Sequence, residues 1–153
     1  MRRTGAVSPH SFRACRDQGT DRLTSPSMHK SKLAGFIIDC RTDDLESAAR
    51  FWSGALGMQI RHLPGEEGKK YIQLIDPVDA LHVEVQTVTH PSRVHLDIET
   101  DDIEAEVRRL EAIGAKRVEQ VHTWVVMEAP TGQRFCVVRS QGPEFAKRGN
   151  QWA

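Results

Sequence analysis

The sequence contains one unit written twice, and this repeat constrains the fold more than any other feature. Residues 39–46 read DCRTDDLE and residues 97–104 read DIETDDIE, so five of eight positions are identical at an offset of 58. Gly57 and Gly114 follow at nearly the same offset, with one residue deleted. A unit of this length that occurs only twice does not suit a solenoid, which needs more copies to close its core. The repeat therefore predicts two supersecondary modules that pack on each other.

Each copy has the same local pattern of a strand, a helix and three further strands. An apolar run rich in β-type residues opens the copy, and apolar residues at helical spacing follow it. Asp43 and Asp101 stand at the N-cap of these helices, each with a glutamate three residues later as in a capping box. The predicted strands are 33–40, 58–62, 71–75 and 81–88 in the first copy, and 93–98, 115–121, 124–128 and 134–139 in the second. We therefore predict an α+β fold of two tandem β-α-β-β-β modules, at residues 33–88 and 93–139.

The segment before residue 28 differs in composition from the rest of the chain. Residues 1–27 contain five arginines and two aspartates but no lysine or glutamate, and their few apolar residues follow no strand or helix period. Such a segment cannot bury enough surface to offset its ordering entropy, so we predict a disordered N-terminal extension. Its composition also suits an organelle transit peptide, and an upstream extension before a natural start at Met28 is the simpler interpretation. The folded domain is then 28–153, with residues 140–153 as a C-terminal strap.

The composition excludes several classes of partner. Lys plus Arg and Asp plus Glu both number 21, so the chain has no net charge and no reason to bind nucleic acid or an acidic membrane. No apolar run approaches the roughly 18 residues of a membrane-spanning helix. The three cysteines are far apart and form no CxxC pair, which argues against disulfides and favours the cytoplasm.

Three segments carry a resemblance to a known family. FWSGALG at 51–57 is similar to a first-helix signature of the vicinal oxygen chelate superfamily, the group of glyoxalases, bleomycin-resistance proteins and extradiol dioxygenases. VHLDIETDD at 94–102 and APTGQRFCVV at 129–138 resemble its second-module strand and its closing strand-turn-strand. The resemblance implies a cup-shaped eight-stranded mixed sheet with helices outside, a cavity between the modules, and a homodimer.

The family takes metal ligands from the first and last strands of its modules. Carried over by position, these sites fall on His95 and Cys136 in the second module, and on Ile37 and Glu84 in the first. Ile37 cannot ligate, so the resemblance implies a degenerate site for one divalent ion (Zn, Ni, Mn or Fe), or no ion at all. Cys136 as a small buried hydrophobe and Glu84 as the partner of a histidine are the alternatives to ligation.

Strand alternation predicts which side chains face the cavity. In residues 81–86 the polar positions alternate with Leu81, Val83 and Val85, whose apolar face would pack against the helix. The same alternation in the first strand of the second module separates its polar from its apolar residues. Because buried polar groups need partners, a polar concave face predicts a ligand site. The predicted ligand-binding residues are Asp39, His82, Gln86, Asp97 and Trp124, beside the metal candidates His95, Glu84 and Cys136.

Two functions remain open at this point. The first is a binding protein that sequesters a small carbonyl or aromatic compound in a cavity with a degenerate metal site. The second is a metal-dependent lyase or isomerase acting on a small carbonyl substrate, with Glu84 as the candidate catalytic residue. For Asp39 and Asp97 a third role is open, that of tying the two central strands together.

Overall fold

One mixed sheet carries both copies of the repeat. The structure is a computed structural model that describes residues 28–75 and 81–153, so the prediction for residues 1–27 lies outside the described residues. The strands are β1 (His29–Cys40), β2 (Gln59–His62), β3 (Tyr71–Ile75), β4 (His82–Thr87), β5 (Arg93–Thr100), β6 (Lys116–Val121), β7 (Trp124–Glu128), β8 (Arg134–Arg139) and β9 (Asn150–Trp152). The helices are α1 (Leu45–Leu56), α2 (Ile103–Ala112) and α3 (Glu144–Arg148), with one 3-10 turn at Glu67–Lys69.

The sheet order shows the two predicted modules side by side. It runs β2-β3-β4-β1-β5-β8-β7-β6, and the first and last strands of each module pair in parallel. The modules join through the antiparallel pair of β1 and β5 at the centre. The predicted α+β fold is confirmed, as an open sheet that does not close into a barrel. The prediction of eight strands missed β9, which pairs with the beginning of β1 at His29–Ser31.

The helix starts keep the offset of 58 but differ from the prediction by one residue. The N-caps are Asp44 and Asp102, whose side chains accept the backbone N–H three residues later at 2.8 and 2.9 Å. The prediction that Asp43 and Asp101 cap the helices was therefore wrong. The later start places Leu45 and the corresponding isoleucine in the first helical turn, where both pack on the core. Packing of that first apolar residue decides between two adjacent aspartates of equal capping ability.

The two long helices cover one face of the sheet and leave the other open. Leu45, Ala48 and Trp52 of α1 pack on an apolar cluster of the first module, and α2 covers an equivalent cluster in the second. In β4 the predicted faces hold for Val83 and Val85, which are buried in this core, and for the polar residues that line the cavity, whereas Leu81 precedes the strand and is 38% exposed. The polar positions of the same strands consequently face the concave side. None of the described helices is long and apolar enough to span a membrane.

A buried glutamate ties α2 to the beginning of β1. Glu106 is 0% exposed and accepts two hydrogen bonds from Arg109, one from His29 at 2.8 Å and one from Ser31 at 3.0 Å. Trp152 of β9 donates to the Ser31 hydroxyl at 2.7 Å, and the Arg109 guanidinium lies 4.0 Å from the centre of its ring. This network fixes the C-terminal strap against the body of the protein.

We predict that Glu106→Gln lowers the free energy of unfolding by about 3 kcal/mol at pH 7, because it leaves the Arg109 guanidinium without its buried anion. Burial opposes ionisation, but the hydrogen bonds from Arg109, His29 and Ser31 outweigh it, and the pKa of Glu106 is lowered. A lowered pKa gives stability that is present above the ordinary glutamate value of about 4.3 and is lost as the pH falls through the folded value. Urea unfolding should therefore show the difference from wild type shrinking in acid.

The matched control is Glu104→Gln on the same helix, where the side chain is 55% exposed and pairs with Arg117 at the surface. Its effect should stay below about 1 kcal/mol. Equal losses in the two variants, or a Glu106→Gln loss that persists unchanged in acid, would contradict the role of Glu106 as a buried ionised anchor.

Candidate functional site

The concave face of the sheet encloses a cavity of about 930 Å³. Its floor, by which we mean the concave-facing residues of β4, β1, β5 and β8, is polar over most of its length. Tyr71 and Trp124 stand among the side chains around it. The structure brings all eight predicted site residues to this cavity, namely Asp39, His82, Glu84, Gln86, His95, Asp97, Trp124 and Cys136. Their roles as ligands of a metal or substrate stay predictions.

Asp39 is the most buried carboxylate of the cavity, at 1% exposure. It lies opposite Arg93 in the β1–β5 register, and its Oδ2 accepts from Arg93 Nε at 3.2 Å and from His95 Nδ1 at 2.9 Å. Its Oδ1 has no donor among the described residues. Because Nδ1 of His95 faces Asp39, Nε2 lies on the other side of the ring.

Asp97 lies opposite a glycine in the same register. Gly35 has no side chain to offer, and a Cβ built on it would come 1.7 Å from the backbone oxygen of His82. The position therefore requires glycine. Asp97 Oδ1 is buried without a donor among the described residues, and its nearest ring nitrogen is His95 Nε2 at 3.6 Å. Burial of the carboxyl group is the main cause that raises the pKa of Asp97.

Three possible metal ligands meet beside Gly35. One ligand atom each of His95, Asp97 and Cys136 lies within 4.8 Å of the others. Cys136 is opposite Asp97 in the parallel β5–β8 register, and burial followed by the negative charge of Asp97 raises the pKa of its thiol to about 12. A nitrogen, an oxygen and a sulfur donor suit Zn²⁺ or a similar ion, and Asp39 would orient His95 from behind. The donor set and the unsatisfied Asp97 oxygen thus fit a divalent ion.

Glu84 stands outside this cluster, on the half of the floor that the first module provides. It accepts from Gln73 at 2.9 Å and lies 3.2 Å from His82 Nε2. The hydrogen bond to Glu84 raises the pKa of His82. Burial opposes ionisation of Glu84, but the hydrogen bonds from His82 and Gln73 prevail, so its pKa is lowered. Each of the two side chains thus favours the charged form of the other.

The strand registers also show which positions of the two modules correspond. Asp39 pairs with Gln86 in β4, and its repeat partner Asp97 pairs with Cys136 in β8. Cys136 is thus the counterpart of Gln86, whereas the family resemblance had aligned it with Glu84. This two-residue difference explains why Glu84 does not join the cluster.

Sequence reasoning missed two residues that shape the site. Arg93 pairs with Asp39, and Gly35, across from Asp97, allows the close approach of the His82 backbone. The signal was available, because the offset of 58 places Gly35 and Arg93 at equivalent positions of the repeat. Because one copy has a glycine where the other has an arginine, the two copies cannot have the same side-chain contacts at this position. Asp97 could likewise have been recognised as a possible metal ligand, because it stands two residues after His95 and so lies on the same face of the strand.

Comparison with known proteins identifies the family. Residues 35–138 match the model of a glyoxalase-like domain family. A search of curated proteins finds no match.

Solved structures show the same fold at low sequence identity. A hypothetical protein from Bacillus halodurans C-125 superposes with a TM-score of 0.54 at 10% identity, over 74% of this chain and 96% of that one. Methylmalonyl-CoA epimerase from Mycobacterium tuberculosis has a TM-score of 0.53 at 16% identity, over 75% and 91%. The 2,2',3-trihydroxybiphenyl 1,2-dioxygenase of Sphingomonas wittichii has 0.50 at 16%, over 74% of this chain and 42% of the enzyme. With more than half of its length matched by the family model, the chain belongs to the glyoxalase-like domain family.

Proposed function

We propose that the protein binds a small polar carbonyl or aromatic compound in the cavity between its modules. The observation that carries the proposal is the pair of buried, unsatisfied oxygens, Asp39 Oδ1 and Asp97 Oδ1, on the cavity floor. A buried acceptor without a donor costs about 1–3 kcal/mol, and both aspartates line the cavity. A hydroxyl or N–H group of a ligand supplies it.

The shape of the cavity supports the same proposal. Its volume of about 930 Å³ lies in the range of small-molecule sites, which are concave and combine apolar walls with a few placed polar groups. Trp124 and Tyr71 provide aromatic surface for a ring. The ion pairs of the floor fix the orientation of the ligand's polar atoms.

The binding test uses 4-hydroxyacetophenone, which combines a carbonyl, a ring and a hydroxyl donor. At millimolar concentration it should shift the backbone amide resonances of Asp39, His95 and Asp97. Val126→Trp fills the cavity beside Cys136 and should abolish the shifts. Val118→Trp, at a 44% exposed position of β6 that does not line the cavity, should leave them unchanged. Shifts that are absent, or that survive Val126→Trp, count against binding in this cavity.

A second function, that of a metal-dependent lyase or isomerase, is favoured by the cluster of His95, Asp97 and Cys136. A divalent ion held there would supply Lewis-acid polarisation of a substrate carbonyl. Asp39 holds the His95 ring so that Nε2 faces the cluster. Glu84, ionised beside His82, is placed to accept a proton from the substrate, and His82 stabilises its charged form.

For this second function we expect protein purified without chelator to carry close to one equivalent of Zn, Ni, Mn or Fe, measured by mass spectrometry of the metal. His95→Ala and Cys136→Ser should each lose the ion, because each removes one of three ligands. The matched controls are His62→Ala and Cys40→Ser, which stand outside the cluster and should keep it. Metal-free protein whose melting temperature does not respond to added divalent ions would rule the enzyme function out.

A further inference from the structure

Four side chains form a row across the concave face, one on each of four neighbouring strands. Tyr71 of β3 lies opposite Gln86 of β4, and Gln86 lies opposite Asp39 of β1. Arg93 of β5 completes the row on the other side of Asp39. All four residues line the cavity. Because neighbouring strands are spaced by about 4.8 Å, the row is roughly 14 Å long, which is enough for a small aromatic compound.

The arginine at one end of the row is held by the buried aspartate beside it. Asp39 is 1% exposed and accepts from Nε of Arg93 at 3.2 Å, whereas the Arg93 side chain is 44% exposed. No described residue accepts a hydrogen bond from the two Nη groups of Arg93. Since Nε faces Asp39, the end of the guanidinium that carries both Nη groups points away from this carboxylate. Such a planar, pre-oriented fork matches the two oxygens of a second carboxylate.

The other arginines that line the cavity lack this arrangement. Nη2 of Arg134 lies 2.9 Å from a carboxylate oxygen of Glu128, so its fork is already in use. Arg139 and Arg148 are exposed, and within the described residues no ion pair orients them. Arg93 is thus the arginine whose guanidinium is both oriented by a buried partner and available to a ligand.

The other end of the row carries polar groups that have no partner in the described part of the chain. Gln86 and Tyr71 are half-buried, and neither the amide group of Gln86 nor the hydroxyl of Tyr71 is hydrogen-bonded to a described side chain or backbone group. An amide can donate and accept, and a phenol can do both as well. These groups therefore suit a ligand hydroxyl, and the Tyr71 ring provides apolar surface beside it.

We propose that the ligand of this cavity carries a carboxylate, which binds to the Nη groups of Arg93 while the body of the ligand lies along the row toward Tyr71. The inference rests on the proposed binding function and specifies the ligand class, a small hydroxylated aromatic acid. The hydroxyl group exchanges hydrogen bonds with the Gln86 amide. The repeat partner of Arg93 is Gly35, which has no side chain, so the floor offers this fork on one side only and the ligand binds in one direction.

The test compares 4-hydroxybenzoate with 4-hydroxyacetophenone, which has nearly the same shape and no charge, by calorimetric titration at pH 7.5 in the presence of EDTA. Wild-type protein should bind 4-hydroxybenzoate at least tenfold more tightly. Arg93→Gln should abolish this preference while 4-hydroxyacetophenone binds as before. The matched control is Arg134→Gln, which also removes an arginine from the cavity wall and should keep the preference, because that arginine is paired with Glu128.

A second comparison tests the direction of binding. Benzoate lacks the hydroxyl group and should bind wild-type protein severalfold more weakly than 4-hydroxybenzoate. In Gln86→Leu the two acids should bind alike, because the partner of the hydroxyl is removed and the volume of the side chain is nearly kept. A hydroxyl contribution that survives Gln86→Leu overturns the placement along the row.

The outcomes separate the carboxylate from the binding function itself. If 4-hydroxyacetophenone binds as tightly as the acid, or if the preference survives in Arg93→Gln, the carboxylate proposal is overturned and the binding function stands. If Arg93→Gln does not fold, the wild-type protein decides, since 4-hydroxybenzoate at saturation must shift the guanidinium resonances of Arg93 and unshifted resonances overturn the proposal. A preference that disappears with EDTA overturns it in favour of a metal. If neither compound binds at 10 mM, both proposals fail together.

Discussion

The antiparallel register of β1 and β5 determines the chemistry of the cavity. This pairing joins the two modules, and it decides which side chains meet across the middle of the concave face. It places Arg93 across from Asp39 and a glycine across from Asp97. A shift of one residue would turn every polar side chain of the floor toward the helices, so the buried apolar face of each strand holds the register in place.

Because of this register, the two modules contribute different side chains to the cavity. The second module gathers His95, Asp97 and Cys136, whereas the first offers the ion pair of His82 and Glu84. The halves face one cavity, but they are no longer equivalent, because Cys136 stands where the first module has a glutamine. A symmetric duplicate would have two identical half-sites. The divergence gives one half the pair of His82 and Glu84 and the other the cluster of His95, Asp97 and Cys136, so the two halves present different groups to the cavity.

Local sequence patterns predicted the two modules and the polar face of the sheet. They did not predict the features that depend on contacts between segments distant in the sequence. The repeat predicted the two modules, and the alternation in residues 81–86 predicted which side chains line the cavity. Both patterns can be seen in the sequence without knowing which strands pair. The C-terminal strand β9 was missed because its pairing with β1 depends on the buried network around Glu106, some 45 residues away from it in sequence. The Arg93–Asp39 pair was missed for the same reason, as cross-strand register cannot be derived from one strand alone. Glu84 was expected near the metal ligands from an alignment, and the register places it elsewhere.

The central claim is that Asp39 is held by hydrogen bonds from Arg93 and His95, whereas burial of Asp97 is opposed by no donor to its Oδ1 among the described residues. Urea unfolding of Asp39→Asn and Asp97→Asn at pH 7.5 tests it most directly. Asp39→Asn should lower the free energy of unfolding by about 3 kcal/mol, because the buried negative charge that pairs with Arg93 is lost. Asp97→Asn should raise it, because burial is the main cause that raises the pKa of Asp97 and its Oδ1 has no donor among the described residues. A loss of similar size in both variants would contradict the account.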